Sequence, residues 1–117
     1  MTFPEREWRL LRPLHRVALD RYCAKVLEEC VTVVRDATAS PHDRYLRLFR
    51  LLNERDQSIA SAFNDLRRST ALQRLGAMIA LGVVTDEDLG QFSAATRESA
   101  SELADLWRAS RKRRKAQ

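Results

Sequence analysis

Residues 13–37, PLHRVALDRYCAKVLEECVTVVRDA, decide the reading of this chain of 117 residues. Advancing about 100° per residue, Leu19, Tyr22, Cys23, Val26, Leu27, Cys30, Val33, Val34 and Ala37 fall on one broad face, which Trp8, Leu11 and His15 extend upstream. Arg16, Asp20, Arg21, Lys25, Glu28 and Arg35 lie largely elsewhere. The stretch is an amphipathic helix over about Pro13 to Ala37, with a shorter helical piece before it. Val31-Thr32-Val33-Val34 has strand propensity, but the helical period runs through it unbroken. Thr2, Pro4 and Glu5 have the form of a capping box, and Pro13 either kinks one helix or opens a second.

Working outward, Ser40-Pro41-His42-Asp43 is a second start signal, with Ser40 as cap and Asp43 meeting the exposed amides three residues on. The helix it opens carries Tyr45, Leu48, Phe49, Leu52, Ile59, Phe63 and Leu66 on one face. A connection of about three residues folds it back on the first helix as an antiparallel hairpin. From Ala71 to Val84 only Gln73 and Arg74 are strongly polar, and apolar residues point in every direction. Such a helix must be covered. It is either the central core element or a subunit contact, with Leu72, Leu75, Met78 and Ile79 as the candidate interface. Gly82 is placed to end it, Thr85-Asp86-Glu87-Asp88 caps a short acidic helix, and Ser93 caps the last one. The expected fold is therefore all-α: four to six helices built on a long hairpin, a single domain over 1–107, and a disordered basic tail over 108–117.

The composition agrees, since only 3 Gly and 3 Pro argue against a turn-rich β fold, and 44% hydrophobic residues exclude a disordered chain. No apolar run reaches the length of about 18 residues that spans a bilayer, and the opening MTFPEREWRLLRPL lacks a secretory apolar stretch. A cytoplasmic protein without membrane contact is the expectation. The formal charge of +5 is unevenly placed: residues 1–68 carry +3, residues 69–107 carry −4 and residues 108–117 carry +6. The electrostatics belong to Arg108, Arg111, Lys112, Arg113, Arg114 and Lys115. These six could make several phosphate contacts, though without interleaved aromatics they would read no base sequence.

Cys23, Cys30, His15 and His42 are the only soft metal ligands. Two cysteines seven residues apart on one helix stand roughly 10 Å from each other, too far for a shared metal or a disulfide within that helix. His15 followed by His42-Asp43 resembles the spaced histidines and adjacent His-Asp of metal-dependent HD-type phosphohydrolases. That resemblance covers three residues, and no lysine-bearing segment follows. It implies a small metal-dependent hydrolase as the third-ranked function. No phosphate loop or nucleophile elbow occurs, and no cofactor is expected.

Two polar features interrupt the apolar pattern. Asp56 falls on the stripe between Leu52 and Ile59, and reflecting the hairpin about residues 39 and 40 sets it opposite position 23, within reach of the Tyr22 hydroxyl; Tyr22 and Asp56 are thus the candidate buried polar pair. Arg67 and Arg68, in the polar junction before the apolar segment, are a candidate anion or nucleic-acid contact together with the tail. The leading expectation is a non-catalytic helical interaction or accessory module that associates with itself or another protein. The alternative is a sequence-nonspecific nucleic-acid-binding protein that uses the tail.

Overall fold

The computed structural model describes residues 3–116, the last three by backbone alone. Five α-helices and one 3₁₀ turn make up the regular structure of the described residues: α1 (Glu5–Arg35), α2 (Pro41–Phe63), the turn Arg68–Thr70, α3 (Ala71–Ala80), α4 (Asp86–Leu89) and α5 (Ala94–Ala116). The fold is all-α, as the helical periods require. Helix α1 is one continuous element of 31 residues with Pro13 inside it. Pro13 is exposed, so the carbonyl that loses its amide partner can turn to water. It interrupts one hydrogen bond without dividing the helix. The expected role of Thr2 lies outside the described residues; Pro4 occupies the cap position without a side-chain bond, and Glu5 and Glu7 supply first-turn acid.

The later punctuation follows its chemistry. Ser40 Oγ accepts from the Asp43 amide at 3.1 Å, opening α2 with Pro41 at its first position. Gly82 adopts φ 74°, the left-handed region open to glycine, and stops the chain beyond α3. Thr85 and Asp88 cap each other's backbone amides reciprocally at 2.9 and 3.0 Å, and Ser93 Oγ accepts from Thr96 N–H at 3.2 Å.

Helix α3 is the core element. Ala71, Leu75, Gly76, Ala77 and Met78 are buried, with α5 against one side and α2 and α1 against the others. Leu75 and Met78, placed above at a candidate interface, have no accessible surface within one chain. Leu72 and Ile79 are half-buried and pack against the same core. An all-round apolar helix of only 10 residues is short enough for its neighbours in the same chain to enclose it.

One buried acid ties the ends of the domain together. Glu7, 3% exposed, accepts from the Ser93 amide at 2.6 Å and the Thr96 hydroxyl at 2.7 Å, so the first turn of α1 completes the cap of α5. Burial works to raise the pKa of Glu7, but these hydrogen bonds outweigh it and hold the carboxyl below its usual value.

Candidate interaction surface

The hairpin is longer than what covers it. Helix α1 runs about 46 Å at 1.5 Å per residue, and the domain measures 52 × 30 × 23 Å. The last buried residue of α1 is Val26 and the first of α2 is Ser58, so nothing from Leu27 to Gln57 is buried. This distal half is a two-helix arm that α5 meets only at its base, where Trp107, Ser110 and Arg111 line a cleft with Glu54, Arg55 and Gln57.

Polar contacts hold the arm's two helices together. Arg55 grips Glu29 through two bonds of 2.8 and 3.2 Å, and the Arg55 hydrogen bond draws the Glu29 carboxyl below its usual pKa. Arg47 reaches Asp36 at 3.0 Å. Hydrogen bonds from the Thr38 side chain, Arg47 and the Thr38 amide lower the Asp36 pKa to about 2. Arg44 donates to the Val34 carbonyl at 2.6 Å. At the covered end, His15 Nε2 lies 2.8 Å from the Phe63 carbonyl, with its ring edge-on to the Phe63 ring.

These contacts fix which side of each helix faces its neighbour: Glu29 and Val33 on α1, Arg47, Leu51 and Arg55 on α2. Rotating from that line at about 100° per residue, Cys23, Leu27, Cys30 and Val34 lie to one side of α1. Because α2 runs the opposite way, Tyr45, Leu48, Phe49, Leu52 and Ile59 lie to the same side of the hairpin. The rest of the domain occupies the other side. There Arg21 bonds the Val83 carbonyl at 3.0 Å and Asp88 at 2.7 Å, and Lys25 bonds the Gly82 carbonyl at 3.0 Å. Beyond that body the covered side becomes a polar groove of about 530 Å³ lined by Glu29, Thr32, Arg47, Arg50 and Glu54 among others. The opposite side is apolar and open, with Leu27, Val34, Tyr45, Phe49 and Leu52 between 47% and 65% exposed.

Asp56 stands on this open side and is itself exposed. Tyr22 is buried, packed on Phe63 with ring centroids 6.1 Å apart, and the expected Tyr22–Asp56 pair does not form. The stripe that carries Asp56 has no layer over it, so its carboxylate keeps its water. Arg55, the neighbouring residue, makes the inter-helix contact instead.

The expected anion patch is already neutralised from within. Arg67 pairs with Asp65 at 2.8 Å, while Arg68 pairs with Glu5 at 2.9 Å and donates to the Phe3 carbonyl. The boundary expected after Trp107 falls inside α5, whose helix continues to Ala116. Arg108 bonds Asp105 and the Ile79 carbonyl, each at 3.2 Å, and the Arg111 guanidinium sits 4.8 Å from the centroid of the Trp107 ring. Lys112 and Arg113 are exposed; the side chains of Arg114 and Lys115 lie outside the described residues.

The histidines do not assemble a metal site. His15 is at the covered end of the hairpin and His42 at the tip, roughly 30 Å away at helical rise. No group of three His, Cys, Asp or Glu side chains converges among the described residues, and Cys23 and Cys30 are free, half-buried thiols. No helix among the described residues is long and apolar enough to cross a membrane. No protein-family model, curated protein or solved structure matches the chain.

Proposed function

We propose that this protein is a non-catalytic helical interaction module of the cytoplasm, which docks a helical protein segment, its own copy included, on the open apolar side of the α1–α2 arm. One observation carries the reading: five large apolar side chains on that side, Leu27, Val34, Tyr45, Phe49 and Leu52, are exposed in a stretch of the hairpin where nothing is buried. The patch is rich in aromatic and aliphatic groups and poor in charge, the composition of an interface centre.

Affinity capture from the native cytoplasm, before and after nuclease treatment, tests this reading with wild type beside Leu52→Arg. Partners that survive nuclease and are lost with Leu52→Arg support it; partners retained by Leu52→Arg refute the surface. A second reading, nucleic-acid binding through α5, is favoured by the helical continuation that carries Lys112 and Arg113, both exposed, beyond Trp107. Loss of every partner on nuclease treatment would replace the first reading with this one.

A further inference from the structure

We propose that the cleft between α2 and α5 at the base of the arm binds the phosphate group of a small molecule, inorganic phosphate or a phosphate monoester. The cleft holds about 290 Å³ and shares Glu54 with the polar groove on the covered side of the hairpin. It lies apart from the open apolar side, and its occupancy does not depend on what docks there.

The walls carry hydrogen-bond donors that the fold leaves unused. Gln57, Ser58 and Ser61 of α2 line the cleft with Trp107, Ser110 and Arg111 of α5. Ser58 is 6% exposed, and its hydroxyl reaches only the Glu54 carbonyl, at 3.4 Å. A good O–H···O bond measures about 2.5 to 3.0 Å, so this buried hydroxyl is poorly matched and has a better bond to make. The side chains of Gln57, Ser61 and Ser110 bond to no other described residue. Arg111 has no carboxylate partner among the described residues. Its guanidinium lies 4.8 Å from the centroid of the Trp107 ring, a contact to the ring that positions the cation without spending a hydrogen bond.

Charge and size select the ligand. Arg55 also lines the cleft, with Nε and Nη2 on Glu29 and Nη1 3.9 Å from Glu54. Arg74 stands behind Ser61, donating to its carbonyl, with its Nε buried and without a partner among the described residues. Three guanidiniums thus meet two carboxylates. Glu54 is the one acid on the wall, and its side chain is 67% exposed, so water screens it while the cations remain to be matched. An anion is the ligand that such a wall compensates. Phosphate suits it better than a carboxylate, because three terminal oxygens can accept from donors on two helices at once, whereas a carboxylate offers two oxygens in one plane. The volume of about 290 Å³ is at the small end of ligand pockets, about 300 to 1,000 Å³, the room for one phosphate on a small body and not for a nucleic-acid strand.

Isothermal titration calorimetry of the full chain at low ionic strength, with inorganic phosphate, glycerol 3-phosphate and acetate as probes, tests the proposal. One phosphate probe or both should bind saturably at a single site, with acetate about tenfold weaker or more. Tighter binding of glycerol 3-phosphate supports an organic phosphate, and equal or tighter binding of inorganic phosphate supports the free ion. Arg111→Gln should weaken binding about tenfold and Ser61→Ala about threefold. Arg113→Gln removes the same charge from an exposed position and should change binding by less than about twofold. Glu54→Gln should tighten it several-fold, a gain that misfolding of the variant does not imitate. Absence of saturable binding overturns the site. So does a loss from Arg113→Gln equal to that from Arg111→Gln, because diffuse charge at the end of α5 then explains the attraction, and so does a Glu54→Gln chain that binds no tighter than wild type. Acetate binding as tightly as phosphate overturns phosphate as the group recognised. An oligothymidylate without a terminal phosphate that binds more tightly than both phosphate probes, and loses more from Arg111→Gln, overturns the small molecule in favour of nucleic acid.

Discussion

Gly76→Ala should destabilise the domain, although glycine within a helix is ordinarily replaced by alanine with a gain. Two effects oppose each other. Alanine in a helix interior is favoured over glycine by about 0.8 to 1.0 kcal/mol. Against this, a Cβ at residue 76 would stand 2.8 Å from Leu103 Cβ, 3.1 Å from the Ala100 carbonyl oxygen and 3.4 Å from the Ala104 amide nitrogen. Carbon atoms in good contact are about 3.5 to 4.0 Å apart, so α5 must retreat by about 1 Å. No rotamer change can relieve this, because Leu103 Cβ is fixed to the backbone. Overpacking of this kind costs about 1 to 3 kcal/mol, occasionally more, and α5 is also held at its start by Glu7 and near Trp107 by Arg108. The net loss should be about 1 kcal/mol and at most about 2, with Tm falling by about 4 °C for each kcal/mol in a domain of this size.

Urea unfolding followed by helical circular dichroism measures it, with Gly90→Ala as the control. Gly90 has φ −59° and ψ −19°, is exposed, and its added Cβ would meet only ordinary contacts at 3.4 Å. That change should be neutral or stabilising by up to about 1 kcal/mol. If Gly76→Ala stabilises as much as Gly90→Ala, the close approach of α3 and α5 is not what glycine serves at this position.

Glu7→Gln should cost about 1 to 3 kcal/mol at neutral pH. Because the folded-state pKa of Glu7 lies below its unfolded value, its contribution is complete above about pH 4.5 and is lost as pH falls through the folded pKa, so the variant should show a shallower acid limb in thermal melts. A double-mutant cycle on Arg55→Ala and Glu29→Ala should give a coupling of about 0.2 to 1 kcal/mol, since the acid is partly exposed, while Tyr22→Phe and Asp56→Ala should be additive; a coupled Tyr22–Asp56 pair would contradict the exposed position of Asp56. Truncation after Trp107 removes the Arg108 bonds to Asp105 and the Ile79 carbonyl together with the Arg111 contact with the Trp107 ring, and should cost about 1 to 2 kcal/mol. If the chain binds nucleic acid, truncation should also abolish an affinity that otherwise falls steeply between about 50 and 200 mM salt, and salt-insensitive binding would exclude the phosphate reading. Amide hydrogen exchange should be faster across 27–57 than across Leu11–Val26 or α3, with equal protection refuting the account of the arm as an uncovered layer.

Local chemistry made most of the fold legible. Ser40, Gly82, Thr85 and Ser93 each perform the boundary role that their neighbours in sequence imply, because caps and turns are decided within a few residues. Contacts between distant segments were harder to read. Glu7 looks like an ordinary first-turn acid, and its partners Ser93 and Thr96 lie 86 and 89 residues away. Reflection of the hairpin set Asp56 opposite position 23, whereas its neighbour Arg55 reaches Glu29, more than a turn further along α1, and reflection said nothing of rotation about α2.

The same reasoning explains why the sequence left open whether α3 is a core element or a subunit contact. Periodicity reports which side of a helix is apolar and is silent about what covers it; Leu11–Val26 and Leu27–Val34 continue one pattern, yet only the first stretch contributes buried side chains to the core. Length supplies the missing information. Helix α3 spans about 15 Å and lies within reach of its neighbours along its whole length, whereas α1 at about 46 Å outruns every element that could lie on its apolar side. The arm's own order therefore depends on the Ser40 cap and the Arg55–Glu29 and Arg47–Asp36 pairs. A partner that bound the ordered arm would stabilise it by mass action, coupling the proposed docking to the integrity of the hairpin.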